Sequence, residues 1–392
     1  MTLAFFYDGP LYINAQKEIF GIAFNDKMFQ RYELMCDRLI LCMRQKQVSS
    51  PETLSKITLP YIEFVPCVNL ATPAYFFKIS EARKTISSVL EKVDGAIIRL
   101  PSMIGDIAVD LCVRNNIPFF VEVVGCTWDS LWNHSVKGKI MALPRLISTK
   151  KAVKKSPYVL YVTQNFLQNR YPTNGKSIGC SDVDIQNISE VVFDKRIKHI
   201  ESHFGRLKIG TLAAVNVRYK GQQYVIEAIG KLKKQGIDNF EYHIAGNGDQ
   251  SYLRSVAEKF NVSDRVFFTG GIPHEKVFDW LDSIDIYVQP SRTEGLPRAM
   301  AEAMSRALPV FGANTGGIPE LVDKEYLFSN TGKNIDEICK ILTSLTTESM
   351  LTQAKRSFEK ASEYSPKVLN EKRENFYKDF LEYVNKCNNE GR

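Results

Sequence analysis

Pro290-Ser291-Arg292-Thr293-Glu294-Gly295-Leu296-Pro297-Arg298-Ala299-Met300-Ala301-Glu302-Ala303-Met304 is the stretch on which the reading of this chain turns. It follows the apolar run Ile284-Asp285-Ile286-Tyr287-Val288, which predicts a buried strand. Gly295 lets backbone approach a ligand closely. Pro297 suits the first turn of a helix, where its missing N–H costs least. Strand, loop and helix in that order aim the helix's positive end back at the loop, a geometry that attracts a diphosphate. Glu294 lies in the loop and Glu302 about a turn and a half into the helix, so two carboxylates flank one ligand at different depths. Each can accept two hydroxyl hydrogen bonds, and a sugar and a ribose joined by a diphosphate present such hydroxyls.

The alternation continues on both sides of this stretch. Strands are predicted at 208–213, 240–246, 265–268 and 308–311, with helical spacing at 222–235 and 251–260. Upstream, 39–43, 95–100, 118–124 and 158–163 read as buried parallel strands, and 102–116 has helical spacing through Ile104, Ile107, Ala108 and Leu111. A polar stretch at 193–206 separates the two series. The expectation is therefore an α/β chain of two Rossmann-like, doubly wound parallel-sheet domains facing a central cleft. The first would span 1–200, the second 207–365, and an amphipathic helix at 366–385 would cross back onto the first. Ligands are expected beyond the carboxyl ends of the strands.

A length of 392 residues fits two domains. With 44% hydrophobic and 24% charged residues, the chain reads as globular and neither disordered nor membrane-spanning. Met1-Thr2-Leu3-Ala4-Phe5-Phe6-Tyr7-Asp8-Gly9 reads as a first buried strand and not a signal peptide, which implies a cytoplasmic protein. The eight cysteines contain no CxxC pair and read as reduced, mostly buried thiols. Residues 1–200 carry 25 Lys and Arg against 18 Asp and Glu, and the remainder carries 26 against 26, so the net +7 sits in the first half. No acid occurs between Asp129 and Asp182, a window holding Lys137, Lys139, Arg145, Lys150, Lys151, Lys154 and Lys155. Such a run is often only a solvated face. It also suits an anionic membrane surface, which would make the protein peripheral on the inner membrane face. No nucleic-acid partner is expected.

Glu294 and Glu302, with seven residues between them, resemble the E-x7-E motif of the family-4 retaining glycosyltransferases of the GT-B fold. The resemblance extends to Leu308-Pro309-Val310 and Gly316-Gly317-Ile318-Pro319-Glu320. It implies that Glu294 contacts the donor sugar and Glu302 the ribose diol, with Gly295, Leu296, Pro297 and Arg298 beside the diphosphate. Arg218-Tyr219-Lys220-Gly221 resembles the family's phosphate-binding segment, which gives Lys220 and, as a substitute for the arginine replaced by Val215, Arg218. Gly246 and Gly248 match a Gly-x-Gly turn, and Gly271 and Ile272 the loop lining the base pocket. Departures are plain. Glu-Gly-Leu-Pro replaces Glu-Gly-Phe-Gly, so Pro297 gives no amide to a phosphate and Arg298 would compensate. The first domain's double-glycine loop is reduced to Asp8-Gly9-Pro10. Its cleft histidine has no counterpart, which leaves Glu122, Asp129 or His134 for acceptor positioning.

The resemblance implies a nucleotide-sugar co-substrate, taken as UDP-linked, a saccharide or lipid-linked acceptor in cell-surface polysaccharide biosynthesis, and retention at the anomeric carbon. No metal or other cofactor is expected. Lys220, Arg218 and a helix N-terminus would offset the charge of the departing diphosphate, and the leaving phosphate itself would take the acceptor's proton. Taken alone, the two glutamates could be solvated helix-end carboxylates, Gly246-x-Gly248 a plain turn, Gly316-Gly317 a bare strand-to-helix turn, and Lys220 a surface lysine. Trp128 and Trp132, four apart, read first as one packed helical face and otherwise as an acceptor wall. A GT-B nucleotide-sugar epimerase, or a non-catalytic sugar-nucleotide or polyanion-binding protein, stays open as an alternative.

Overall fold

In the computed structural model, residues 1–390 are described except 23, 52, 53, 71–74, 184, 186, 187 and 204. The chain forms two compact units. One comprises residues 1–127, 142–180 and 372–392, the other 128–141 and 181–371. The boundary thus falls after Cys180 and not in the polar stretch at 193–206. The helix Glu190–Glu201 belongs to the second unit because buried Arg196 donates to the carbonyls of Ile284 (2.7 Å) and Leu281 (3.2 Å) there.

In the first unit the strands are β1 (Thr2–Ile13), β2 (Ile19–Gly21), β3 (Arg38–Gln47), β4 (Ser55–Lys56), β5 (Ile62–Cys67), β6 (Gly95–Leu100), β7 (Phe119–Val123), β8 (Tyr158–Tyr161) and β9 (Lys176–Gly179). Seven of them pair in parallel in the order β5-β3-β1-β6-β7-β8-β9, while β2 and β4 add a short antiparallel edge at the end of β1. Their cores are runs such as Leu3-Ala4-Phe5-Phe6 and Leu39-Ile40-Leu41-Cys42-Met43, each nearly inaccessible, as strands buried on both faces require. The expected Asp8-Gly9-Pro10 loop is not a loop. β1 runs through it, shifting register against β3 between Tyr7 and Pro10. The C-terminal helix, Pro366–Glu390, is longer than its periodicity suggested. From Lys372 onward it belongs to this unit, with Phe376 and Phe380 edge-on to Phe120 at 5.4 and 4.9 Å.

The second unit holds β10 (Leu207–Leu212), β11 (Phe240–Ala245), β12 (Val266–Gly270), β13 (Ile286–Gln289), β14 (Val310–Ala313) and β15 (Leu327–Phe328). All pair in parallel, in the order β12-β11-β10-β13-β14-β15. Numbered within the unit this is 3-2-1-4-5-6, the doubly wound order whose ligand crevice opens where the order reverses, here between β10 and β13. The helix Gln222–Lys234 follows β10 and buries Val225, Ile226, Ala228, Ile229 and Leu232, the face expected of it. All eight cysteines are free thiols, seven of them buried. No helix among the described residues is long and apolar enough to cross a membrane.

Candidate active site

The loops after β10 and β13 meet at the reversal point, and backbone contacts hold them there. The Arg292 amide donates to the Tyr219 carbonyl (2.7 Å). Gly221 adopts φ 80°, and a Cβ on it would lie 1.9 Å from the Pro290 carbonyl oxygen, so only glycine admits this approach. The Gly316-Gly317 pair acts the same way from the next loop. Gly316 has φ 59° and faces the Glu294 carbonyl, where a Cβ would lie at 2.1 Å, while the Gly317 amide donates to the Gly295 carbonyl (2.7 Å). Its turn therefore buttresses the Glu294 loop.

These contacts bring Lys220 Nζ to 2.7 Å from Glu294 Oε1. Glu294 is also an acceptor for Gln289 Nε2 at 3.0 Å; the same amide donates to Ser291 Oγ (2.8 Å), and Gln289 Oε1 accepts from the Tyr287 hydroxyl (2.8 Å). Tyr287, Gln289 and Ser291 are at most 2% exposed. Burial holds the Tyr287 phenol well above its ordinary range, with the Glu302 and Glu294 carboxylates adding to the effect, so it serves as a donor. A part-buried carboxylate with a cationic and an amide partner is stable where a lone one is not.

Pro297 sits one position earlier than its reading suggested. It is the N-cap of the helix Arg298–Ser305, and its carbonyl accepts from the Met300 amide (3.2 Å). No side chain caps this helix; the Pro297 carbonyl takes the Met300 and Ala301 amides, which leaves those of Arg298 and Ala299 to attract an anion. Leu296 and Pro297 are buried, Gly295 is half-buried and Arg298 is exposed. Glu302, 7% exposed, lies within this helix, with His274 Nε2 at 3.9 Å from its Oε1. Gly271 and Ile272 lead from β12 toward His274. Gly246 and Gly248 form the turn after β11, where the Gly246 amide donates to the Gly270 carbonyl (2.8 Å).

Two groups of expected residues lie elsewhere. The Arg218 guanidinium stacks on the Tyr252 ring at 4.3 Å, so of the two cations only Lys220 is joined to Glu294. Glu122 is not accessible to a substrate. It lies 1% exposed on β7, taken by the Tyr32 hydroxyl (2.7 Å) and Arg99 Nη1 (2.7 Å). Asp129 and His134 stand on the short helix Thr127–His134, half-buried and exposed respectively. Sequence reasoning missed Gln289, Tyr287, Ser291 and His274. A glutamine closing an apolar strand is the signal that could have marked the first.

For metals, the one His/Asp cluster among the described residues is His199, His203 and Asp285. It sits at the amino ends of β10 and β13, opposite the site, and Asp285 is already bonded by the Lys208 amide (2.7 Å) and His199 Nε2 (2.5 Å). The chain also contains the Asp-x-Asp triplet Asp182-Val183-Asp184, whose Asp184 lies outside the described residues.

Comparison with known proteins bears on the fold and the family. The family model described as "Glycosyl transferases group 1" matches residues 196–364. Protein CapJ of Staphylococcus aureus is 33% identical over 345 residues, covering 87% of this chain and 85% of CapJ. A putative colanic acid biosynthesis glycosyltransferase, WcaL of Escherichia coli, is 32% identical over 38% of this chain and 40% of its own length. Among solved structures, Anabaena HepE in complex with UDP superposes with a TM-score of 0.63 at 14% identity, covering 95% of this chain and 98% of HepE. The same protein has been solved with UDP-glucose. The fold is that of the GT-B glycosyltransferases, and the chain belongs to the group 1 glycosyl transferases.

Proposed function

We propose that this glycosyltransferase is a retaining enzyme of the family-4 type. It moves a sugar from a nucleoside diphosphate, UDP-linked, to a saccharide or lipid-linked acceptor in polysaccharide biosynthesis on the cytoplasmic side, without a metal. The observation that carries the reading is the Lys220–Glu294 pair at the reversal point of a parallel sheet, with Glu302 behind it and an uncapped helix beside it. The names of WcaL and of the HepE complexes support the pathway and the donor.

Each residue then has a task. Lys220 turns from Glu294 to the diphosphate, and the first amides of the helix Arg298–Ser305 share the growing negative charge as the sugar–phosphate bond breaks. Glu294, released from its lysine, accepts hydroxyl hydrogen bonds from the sugar, while Gln289, held in turn by Ser291 and Tyr287, keeps it from swinging away. Glu302 accepts from the ribose hydroxyls, with His274 as its neighbour. The leaving phosphate oxygen takes the proton of the incoming hydroxyl.

Thermal melting against a panel of UDP- and GDP-sugars tests the reading. A bound donor at about 100 times its dissociation constant adds about 2.7 kcal/mol of stability, and Glu302→Ala loses that shift while its unliganded melt stays intact. Product NMR should show the donor's anomeric configuration, unchanged in EDTA. An inverted product or EDTA-sensitive turnover contradicts the mechanism, and an isomerised sugar nucleotide formed without acceptor points to the epimerase.

A further inference from the structure

The helix Val136–Lys155 carries a feature that the basic run alone did not disclose. Its inward side is set by Gly138, Ala142, Thr149, Ala152 and Val153, all buried. On that side Arg145 and Ser148 reach the Asp106 carboxylate at 2.6 Å each, and Thr149 bonds Thr127 at 2.9 Å. The outward side is apolar: Val136 is 77% exposed, Ile140 73%, Leu143 55% and Ile147 45%. Their spacing of four, three and four residues puts them on one stripe of a helix. Most exposed apolar residues in a protein are scattered singly; four in a row are not.

Charge indicates what covers this stripe. Lys150, Lys151 and Lys154 continue the same face in the next turns, Lys137 and Lys139 border it, and all five are exposed. Among the described residues none of the five is ion-paired with a carboxylate, and the helix itself contains no acid. Just upstream, Trp132 is 43% exposed, stacks on Trp128 at 4.9 Å and carries Lys139 Nζ 5.5 Å above its ring. An apolar stripe bordered by lysines, with an amphipathic tryptophan beside it, matches a helix lying in the plane of a bilayer interface. A protein partner would have to match both the apolar stripe and the unopposed lysines. An anionic bilayer does so by its construction.

We infer that the outward face of the helix Val136–Lys155 seats in the interface of an anionic membrane, with Val136, Ile140, Leu143 and Ile147 among the acyl chains and the lysines on the headgroups. The inference deepens the membrane-side setting of the proposed function but rests on its own residues, none of which belongs to the Lys220–Glu294 site.

Co-sedimentation of the full chain with vesicles tests it. Phosphatidylglycerol–phosphatidylcholine vesicles should bind the protein, phosphatidylcholine vesicles much less, and added salt should weaken the binding. Ile140→Ser with Leu143→Ser should cost about tenfold in vesicle affinity per residue replaced, and Lys150→Ser with Lys151→Ser about fivefold per lysine. Both variants should keep the wild-type melt and donor-induced shift, so a catalytic failure remains separable from a docking failure. Phe267→Ser, an exposed aromatic on β12, should bind as the wild type does. Equal vesicle binding by wild type and the Ile140/Leu143 variant overturns the inference. So does a wild type that dimerises through this face, becomes monomeric in the variant and ignores vesicles.

Discussion

Both sheets reverse strand order at the same topological point, between β1 and β6 in the first unit and between β10 and β13 in the second. Their chemistry there is opposite. In the first unit the helix Met103–Arg114 has its leading amides occupied by its own chain: Asp8, on β1, accepts from the Met103 and Ile104 amides (the latter at 3.1 Å), and the Ser102 hydroxyl accepts from Gly105 at 2.8 Å. In the second unit the helix Arg298–Ser305 begins at a proline with no side-chain cap, and the nearby charges, Lys220 and Glu294, satisfy each other. The first crevice has an internal anion where a phosphate would go. The second leaves the Arg298 and Ala299 amides without a side-chain cap and holds a cation and an acid paired with each other. Topology alone thus does not decide the chemistry at a crevice: among the described residues, the second crevice alone joins a helix without a side-chain cap to a cation–acid pair.

The largest effect should come from the pair in the second unit. Lys220→Ala and Glu294→Ala should each lower turnover about 10²–10³-fold, in the range found for removing one preorganised group that stabilises a transition state. Because the donor separates the pair and gives each its own task, the losses in the double variant should multiply, whereas a double variant that loses little more than either single one would mean that the two act as one unit. Steady-state kinetics of the three variants decides it. A lone Lys220→Ala effect with Glu294→Ala near wild type would dissolve the contrast between the two crevices.

Asp8→Ala sharpens the same contrast from the other side. It strips two amides of the helix Met103–Arg114 of their acceptor, and the cost should resemble loss of a helix cap, about 1–2 kcal/mol by denaturant unfolding. Added phosphate should recover part of that stability, because the emptied helix end then resembles its counterpart. Should phosphate leave the variant's stability unchanged, the first crevice is shaped against anions by more than Asp8.

What could be read from the sequence follows the range of each interaction. Strands such as 95–100 and 118–124 were legible because a strand buried on both faces is apolar along most of its length, with Arg99 and Glu122 satisfying each other, and Pro290 to Glu302 because strand, glycine and helix start fall within one short segment. Asp8 was read as a loop because its partners lie beyond residue 100. Glu122 was left for acceptor positioning in place of a missing cleft histidine, yet what accounts for it, the Tyr32 hydroxyl, is 90 residues away. Gln289 was passed over because its importance depends on Glu294 and Tyr287 converging on it. The stripe at 136–147 escaped for another reason: periodicity reports that one face is apolar, not whether that face is covered.

The smallest effect is expected at His134, and it bears on where acceptor chemistry lies. His134 ends the helix Thr127–His134, exposed, in its last turn, where a histidine's benefit to the helix dipole is a few tenths of a kcal/mol. It lacks the packed amide support that Gln289 gives Glu294. His134→Ala should therefore move stability by no more than about 0.5 kcal/mol, as surface substitutions do, and turnover by less than about threefold, a barrier change within about 0.7 kcal/mol. Asp129 differs. It is half-buried in the first turn of the same helix, and its carbonyl accepts from Asn133 Nδ2 at 2.8 Å. A His134→Ala variant with its melt intact but turnover down by orders of magnitude would make this exposed histidine the acceptor's base. Proton transfer would then no longer need the leaving phosphate, and the second crevice would not be the sole seat of the chemistry.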